Sequence, residues 1–517
     1  MNRRKTFTWN WIQDNDVLST IRYLTVNSSG LYRTGSTPIE TYQDFDDVIR
    51  RIKNLKSLTW NAGPIKISLL ETLHKYHPNA VLKLFSFDRF DGSLDHLDNA
   101  EKALSTYPKL TDFRSSRGDQ YGLATFKSIV ASSGSLRYAG IVLPNGIRQL
   151  DFPQTEDEIL ESTRRRRCSS LRSLTLDGAS LKLSKDSLDE LDKYIDIMQL
   201  ESLKFSRGLP DVSYFENAAS MLPKLNHISL NFGAISGTSP RRSDTQPPVL
   251  KAARDYLLNC PSLQTISLWA WKRVIDLQEL VDHHGKTLTS LHLHEKEESI
   301  VVRESWELSQ RPNWHPADLK LLRQNCPLLR DLTLDMNRRW EDFALQSEME
   351  ILQLLDELAS FKPQLRKLQI YFGTDGLPIF LYPQPAVDTD YDDEASEEGE
   401  NHSNDSDDNR SNGDIVEEQT VGPGRDNNTL RARERLQPLF VMADAEIVLQ
   451  DYVRSIWKHV YGGAMTGERL LDVKFGEWES KHYDNLIQQD DPRRYFEARP
   501  HERDDMIGEC EIKMRKK

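Results

Sequence analysis

The residues of this sequence that could do chemistry include four closely spaced histidines. His283 and His284 are adjacent, and His292 and His294 are separated by one residue. Imidazole is a common metal ligand, and alternate residues of a strand share one face, so His292 and His294 could converge on a metal ion. No third ligand stands at a spacing that completes such a site. We therefore interpret these residues as surface histidines beside an interaction groove, and we expect no metal or other cofactor.

A short glycine-containing stretch follows the first two histidines. Residues 285–287 read Gly-Lys-Thr and resemble the end of a phosphate-binding loop, but Leu280 occupies the position of the first glycine. The stretch also precedes a predicted strand, whereas a phosphate-binding loop opens a helix. No motif of a nucleophile with its base, and no paired-carboxylate pattern, stands out elsewhere. The sequence therefore predicts a protein that is not an enzyme.

The histidines belong to a phrase that recurs along the chain: Leu, two residues, Leu or Ile, one residue, Leu or Ile. Clear copies begin at Leu171, Leu225, Leu263, Leu288, Leu329 and Leu365, and looser copies begin at Ile21, Leu55, Leu82, Leu110, Leu136, Leu200 and Leu470. Successive starts are 25 to 41 positions apart, apart from one interval of 105. The shorter intervals match the period of leucine-rich repeats, and the longer ones indicate loop insertions, near residues 144–163, 232–249 and 295–315.

Each phrase follows a segment with the apolar spacing of an amphipathic helix. The helix before Leu365, for example, places Ile351, Leu354 and Leu358 on one face. Prolines at positions 261, 327 and 363 then end three of these helices, because the residue before a proline avoids the α region. The fold class is therefore an α/β leucine-rich-repeat solenoid, or horseshoe, with parallel inner strands and outer helices. We expect at least about ten parallel strands.

Charge is distributed very unevenly along the chain. Residues 388–419 contain 14 acidic residues and one basic residue, so this segment alone carries the net charge of −13. Its composition predicts disorder. We divide the chain into an N-terminal cap (1–16), the solenoid (17–385), an acidic disordered insert (386–428), a terminal helix with the last repeat (429–480) and a C-terminal tail (481–517).

The remainder of the chain is electrically neutral, which argues against a nucleic-acid groove. The basic runs at residues 164–167 and 513–517 are interpreted as solvated segments. The sequence contains no apolar stretch of membrane-spanning length and no signal-peptide core after Arg3 and Arg4, so no membrane partner and a cytoplasmic or nuclear location are expected.

The alternation within each strand predicts which side chains lie on the concave face. The late strands place aromatic, histidine and charged residues there, and these types often anchor protein interfaces. Trp269 and Tyr371 are expected to be exposed and to contribute most of the binding energy. The predicted partner-binding residues are Trp269, His292, His294, Asp331, Asp335, Lys367 and Tyr371.

The phrase Asn-Cys-Pro-x-Leu-x-x-Leu-x-Leu, at residues 259–268 and 325–334, resembles the cysteine-containing repeats of F-box proteins. The irregular spacing, the acidic insert and the Pro-His-Glu-Arg-Asp-Asp stretch at 500–505 are similar to fungal F-box/leucine-rich-repeat-like proteins. The resemblance covers roughly residues 17–380 and implies a substrate receptor of a ubiquitin ligase, which docks on a Skp-type adaptor through its F-box. Residues 1–20 contain no Leu-Pro-x-Glu start of an F-box.

A second family, the Ran GTPase-activating proteins, also combines leucine-rich repeats with an acidic segment. Their repeats resemble Leu-x-x-Leu-x-Leu-x-x-Asn, and only Asn337 occupies the asparagine position here. The sequence thus favours a protein–protein interaction module that resembles a ubiquitin-ligase substrate receptor without a recognisable F-box. A GTPase-activating protein of the leucine-rich-repeat type is the alternative.

Overall fold

The protein forms one long sheet whose strands follow each other in chain order. The computed structural model describes residues 15–27, 43–61, 65–87, 103–104, 107–115, 120–143, 168–232, 248–295, 314–337, 345–361, 364–373, 442–462, 469–475, 494–500 and 510–515. Within these residues the sheet has fifteen strands: β1 (Tyr23–Asn27), β2 (Ser57–Asn61), β3 (Val81–Phe87), β4 (Leu110–Ser115), β5 (Tyr138–Val142), β6 (Ser173–Leu183), β7 (Ser202–Pro210), β8 (His227–Asn231), β9 (Thr265–Trp269), β10 (Ser290–His294), β11 (Asp331–Asn337), β12 (Lys367–Gly373), β13 (Leu470–Phe475), β14 (Arg494–Pro500) and β15 (Cys510–Arg515).

Every strand from β1 to β12 pairs in parallel with the next, and a helix stands between most neighbours. The helices are α1 (Asn15–Thr20), α2 (Gln43–Arg51), α3 (Ile67–Tyr76), α4 (Gln120–Ser132), α5 (Lys185–Asp192), α6 (Val212–Met221), α7 (Pro248–Asn259), α8 (Leu277–His284), α9 (Pro316–Asn325), α10 (Leu345–Ala359) and α11 (Met442–Tyr461). The prediction of an α/β leucine-rich-repeat solenoid with at least about ten parallel strands is confirmed.

The register of the sheet explains why the phrase recurs. The first inner residue of each late strand lies beside its counterpart in the next strand, so these residues form one continuous row across seven strands. The row consists of Leu203, Ile228, Ile266, Leu291, Leu332, Leu368 and Leu471, and none is more than 2% exposed. A single repeat cannot cover its own leucines, so burial requires a neighbour on each side.

Helix boundaries agree with the sequence signals in most places. Helices α7, α9 and α10 end shortly before the prolines at 261, 327 and 363, and α9 begins at Pro316, whose fixed φ suits a first turn. The four cysteines are buried and form no disulfide. Burial raises the pKa of the Cys260 and Cys326 thiols to about 12, so both are inert apolar side chains of the core.

His284 joins two consecutive repeats inside the core. Its Nδ1 accepts a hydrogen bond from the Leu263 backbone N–H (3.1 Å), and its Nε2–H donates to the Leu257 carbonyl (3.0 Å). The ring is 0% exposed, and burial lowers the pKa of His284 to about 4. The interpretation of His284 as a surface histidine is therefore wrong, because α8 turns this residue towards the preceding repeat.

The last two strands of the sheet pair antiparallel, unlike the strands before them. Strand β14 pairs antiparallel with β13, and β15 pairs antiparallel with β14. Two strands therefore lie in a segment for which the sequence predicted only a tail, and the basic run at 513–517 begins inside β15. Exposed Glu511 and Lys513 lie on this edge strand, and charged residues of this kind discourage edge-to-edge pairing.

Several sequence predictions concern residues outside the described ranges. These are the acidic insert (386–428), the arginines at 164–167, most of the N-terminal cap, and the loops near 144–163, 232–249 and 295–315. Among the described helices, none is both long and apolar enough to cross a membrane.

Candidate protein-interaction surface

The seven predicted partner-binding residues lie on the concave face, which is the face of the sheet opposite the leucine core. They occupy three neighbouring rows. In the first row, Trp269 pairs with His294 on the neighbouring strand, and Asp335 pairs with Tyr371. The next row contains His292, and the third contains Asp331 beside Lys367. All seven residues therefore lie on the one face that the alternation of the phrase predicts.

The first row is an aromatic stack held by a carboxylate. The His294 ring lies against Tyr371 with ring centroids 4.1 Å apart and planes 30° apart, and it makes a T-shaped contact with Trp269, with ring centroids 4.8 Å apart. His294 Nδ1 is hydrogen-bonded to the Asp335 carboxylate. The second Asp335 oxygen accepts from the Glu295 backbone N–H at 2.6 Å. These contacts fix the orientation of His294.

Tyr371 extends the stack towards the C-terminal strands. Its hydroxyl accepts hydrogen bonds from Lys474 Nζ (2.9 Å) and from Gln369 Nε2 (2.7 Å). The Lys474 ammonium also lies 4.6 Å from the Tyr371 ring centroid, at a distance suited to a cation–π interaction. Tyr371 is nevertheless outside the continuous apolar core. The row is thus a separate, polar cluster on the concave side.

Burial in this row differs from what the sequence predicted. Tyr371 is only 6% exposed, and His294 and Asp335 are each 2% exposed. The expectations that Tyr371 is an exposed anchor and that His294 is a surface histidine are therefore wrong. The physical reason is that neighbouring strands lie about 4.8 Å apart, so large side chains in one row cover each other. Trp269 remains half-buried and keeps an accessible part of its indole.

The second row centres on His292, whose two ring nitrogens both face hydroxyl groups. Nε2 lies 2.8 Å from Ser290 Oγ, and Nδ1 is hydrogen-bonded to Thr333 Oγ1. Burial, together with the nearby ammonium groups of Lys367, Lys204 and Lys474, lowers the pKa of His292 to about 4. His292 is therefore neutral at neutral pH.

The serine–histidine contact could suggest nucleophilic catalysis. A hydroxyl 2.8 Å from an imidazole has the required geometry, but Thr333 stands where a carboxylate would orient the ring. A base with a pKa of about 4 also has little affinity for a proton at neutral pH. The arrangement suits recognition by hydrogen bonds better than proton transfer.

The third row supplies charges of both signs. Burial raises the pKa of the Asp331 carboxyl, although the cations of Lys367, Arg330 and Arg366 act in the opposite direction. Lys367 Nζ lies 3.9 Å from the Asp472 carboxylate in the second row. Positive and negative groups therefore alternate across the late concave face, and neither sign predominates.

An aromatic area on the early concave face was not among the predicted binding residues. Tyr138 donates from its hydroxyl to Thr175 Oγ1 (3.2 Å) and lies 6.3 Å from Phe85, centroid to centroid. A Cβ on Gly140 would lie 3.1 Å from the Tyr138 hydroxyl, so glycine leaves room for this ring. Arg114 lies alongside, 3.9 Å from Asp177. The alternation within the strand that selected Trp269 would also have identified Tyr138, which lies in the row of Thr265.

No group of three potential ligands among the described residues could hold a metal ion. No protein-family model matches the sequence, and no curated protein matches it. Among solved structures, the crystal structure of the TLR13–ssRNA13 complex is similar, with 16% sequence identity and a TM-score of 0.29. The matched region covers 63% of this chain and 40% of that one, so this chain spans less than half the length of that neighbour. The leucine-rich-repeat architecture described above follows from the repeat phrase and the strand register of this chain itself.

Proposed function

We propose that this protein is a non-enzymatic binding module that holds a protein partner on the late concave face. The observation that carries the proposal is the aromatic stack of Trp269, His294 and Tyr371. His294, Tyr371 and the adjacent Asp335 are buried and hydrogen-bonded. Trp269 is half-buried, and its orientation is fixed by the His294 ring. A rigid, partly exposed tryptophan loses little conformational entropy on binding, and tryptophan is enriched at the energetic centres of interfaces.

The charge pattern supports a protein rather than a nucleic acid as the ligand. Lys367 is close to Asp472, Arg114 is close to Asp177, and Lys83 lies 3.7 Å from Asp112. A nucleic-acid groove requires uncompensated positive charge along the backbone path. Alternating charges beside a hydrogen-bonding neutral imidazole are better suited to a mixed polar and apolar protein surface.

The test compares two substitutions in the full-length chain. Trp269→Ala removes the accessible aromatic of the concave face, and Lys251→Ala removes an exposed lysine of α7 on the opposite side of the repeat. Partners are recovered from the native cell and quantified by mass spectrometry with wild-type and variant baits. We expect Trp269→Ala to reduce capture of the specific partner by more than about tenfold, as for an energetic centre worth at least 2 kcal/mol. Unchanged capture by a variant with a native circular-dichroism spectrum would refute the assignment.

The finer proposal is a substrate-receptor-like role in ubiquitin ligation, which rests on the resemblance of the Asn-Cys-Pro repeats. Recovery of a Skp-type adaptor with the wild-type bait supports it, and this adaptor should remain bound to the Trp269→Ala variant. A GTPase-activating role is the weaker proposal and predicts a small GTPase among the recovered partners. The cytoplasmic or nuclear location also stays a prediction from the sequence.

A further inference from the structure

A groove lies outside the concave face, where the 3₁₀ helix Trp271–Arg273 meets the first turns of α8 and α9. Its volume is about 600 Å³, which is within the range of ligand-binding sites. The apolar part of its wall is formed by Trp271, Ile275, Leu277 and Leu321, and two ammonium groups come from Lys272 and Lys320. The groove is therefore shaped for an amphipathic segment rather than for a small ion.

The wall contains an unsatisfied hydrogen-bond donor. Among the residues that the structure describes, the indole Nε1–H of Trp271 is buried and has no hydrogen-bond partner, and the side chain is only 4% exposed. An unpaired buried donor destabilises the protein, because the hydrogen bond that it makes to water in the unfolded chain is not replaced. A ligand that brings an acceptor to this position would recover that free energy.

The carboxylates around the groove already accept hydrogen bonds from backbone N–H groups. Asp276 accepts from Gln278 N (2.7 Å) and caps α8, and Asp318 accepts from His315 N (2.9 Å) at the start of α9. Glu295, behind the groove, accepts from Lys272 N at 3.3 Å. The two helix N-termini add partial positive charge. One oxygen each of Asp276 and Asp318 is thus engaged at a helix N-terminus.

A negatively charged ligand would stabilise the partly buried ammonium group of Lys272. Burial lowers the pKa of Lys272, although the carboxylates of Asp318, Glu295 and Asp335 act in the opposite direction. Its Nζ lies 5.6 Å from the centroid of the Trp271 ring, so the ammonium and the unpaired indole donor belong to the same part of the wall. A carboxylate there would contact both.

We propose that this groove, separate from the concave face, binds an acidic amphipathic peptide of a protein partner. A glutamate or aspartate side chain would accept hydrogen bonds from Trp271 Nε1–H and Lys272 Nζ. An apolar side chain of the same peptide would pack on Leu321, and Lys320 would attract a second carboxylate. The site would recognise its partner independently of the concave surface.

The test uses a short fluorescent peptide of alternating glutamate and leucine, with a peptide of glutamine and leucine as the control, on the full-length protein. Fluorescence anisotropy gives Kd for each. We expect the acidic peptide to bind at least about tenfold more tightly, in line with the greater strength of hydrogen bonds to charged groups. Trp271→Phe keeps an aromatic ring but removes the donor, and it should weaken binding of the acidic peptide by a similar factor.

Two further variants distinguish this groove from the concave face. Lys320→Gln should weaken binding of the acidic peptide and reduce its salt dependence, whereas Lys204→Gln on the concave face should change neither. Equal binding of the two peptides, or unchanged binding by Trp271→Phe with a native melting temperature, would overturn the proposal. The partner captured through Trp269 should remain bound to Trp271→Phe, so failure of one proposal does not imply failure of the other.

Discussion

His284 makes the stability of the solenoid sensitive to acid in a defined pH range. The folded protein needs the neutral ring, because Nδ1 accepts from the Leu263 backbone and Nε2–H donates to the Leu257 carbonyl. Burial lowers the pKa of His284 from 6.5 to about 4. Above pH 6.5 the ring is neutral in both the folded and unfolded states, so protonation of His284 does not change the free energy of unfolding there.

As the pH falls from 6.5 to about 4, the unfolded chain binds a proton that the folded protein does not, and the free energy of unfolding decreases. One pKa unit corresponds to about 1.4 kcal/mol, so the full loss is about 3 kcal/mol. Below the folded pKa both states are protonated and the loss does not grow further. The expected contribution is therefore a slope confined to this range.

His284→Gln tests this reasoning because glutamine provides an acceptor and a donor but does not titrate. Urea unfolding of wild type and variant should be measured at several pH values between about 4 and 7.5. We expect the variant to be less stable at neutral pH and the gap to shrink by about 3 kcal/mol on acidification. Contributions from His292 and the carboxylates are common to both proteins and cancel in the difference.

The matched control is His283→Gln, at the exposed neighbouring position. This variant should follow the wild-type pH dependence, since it keeps His284 and both of its core hydrogen bonds. If the wild-type and His284→Gln curves stay parallel from neutral pH to about pH 4, the burial argument for His284 is refuted.

Three further outcomes follow from packing. Leu332→Ala, at a fully buried row position, should lower the free energy of unfolding by about 2–5 kcal/mol in chemical denaturation, and a loss below about 1 kcal/mol would contradict the row model of the core. Tyr371→Ala should lower the free energy of unfolding by about 3–5 kcal/mol. Tyr371→Phe loses only the hydroxyl that Lys474 and Gln369 contact and should lower it by about 1–2 kcal/mol, and equal losses for the two variants would show that packing of the ring is unimportant. Gly285→Ala should lower the melting temperature, because a Cβ there would lie 2.5 Å from the Val281 carbonyl oxygen and 2.7 Å from the Asn325 carbonyl oxygen, and Ala at exposed Lys286 is the control.

The fold was predictable because the repeat phrase is a local signal. Each phrase specifies its own strand, and each proline specifies where the preceding helix ends. The pair of antiparallel strands β14 and β15 was missed because their residues carry no copy of the phrase.

The site was predictable only in part, for a different reason. Alternation within a strand tells which face a residue occupies, and all seven residues lie on the predicted face. It does not tell how much of a side chain the neighbouring strands cover. Lys474, which contacts the Tyr371 hydroxyl, comes from a strand 103 positions later in the chain. No pattern around Tyr371 indicates that contact.

Burial on the concave face therefore has the same origin as burial in the leucine core. A parallel sheet brings equivalent positions of successive repeats within contact distance on both of its faces. Where the equivalent concave positions hold small residues, as at Ser229 and Ser267, the face stays open. Where they hold a tryptophan, a histidine, an aspartate and a tyrosine in succession, the row packs into a second, polar layer. The contact residues of this solenoid should then be those at the borders of the packed row, with Trp269 foremost, and its interior members should act by holding that border in place.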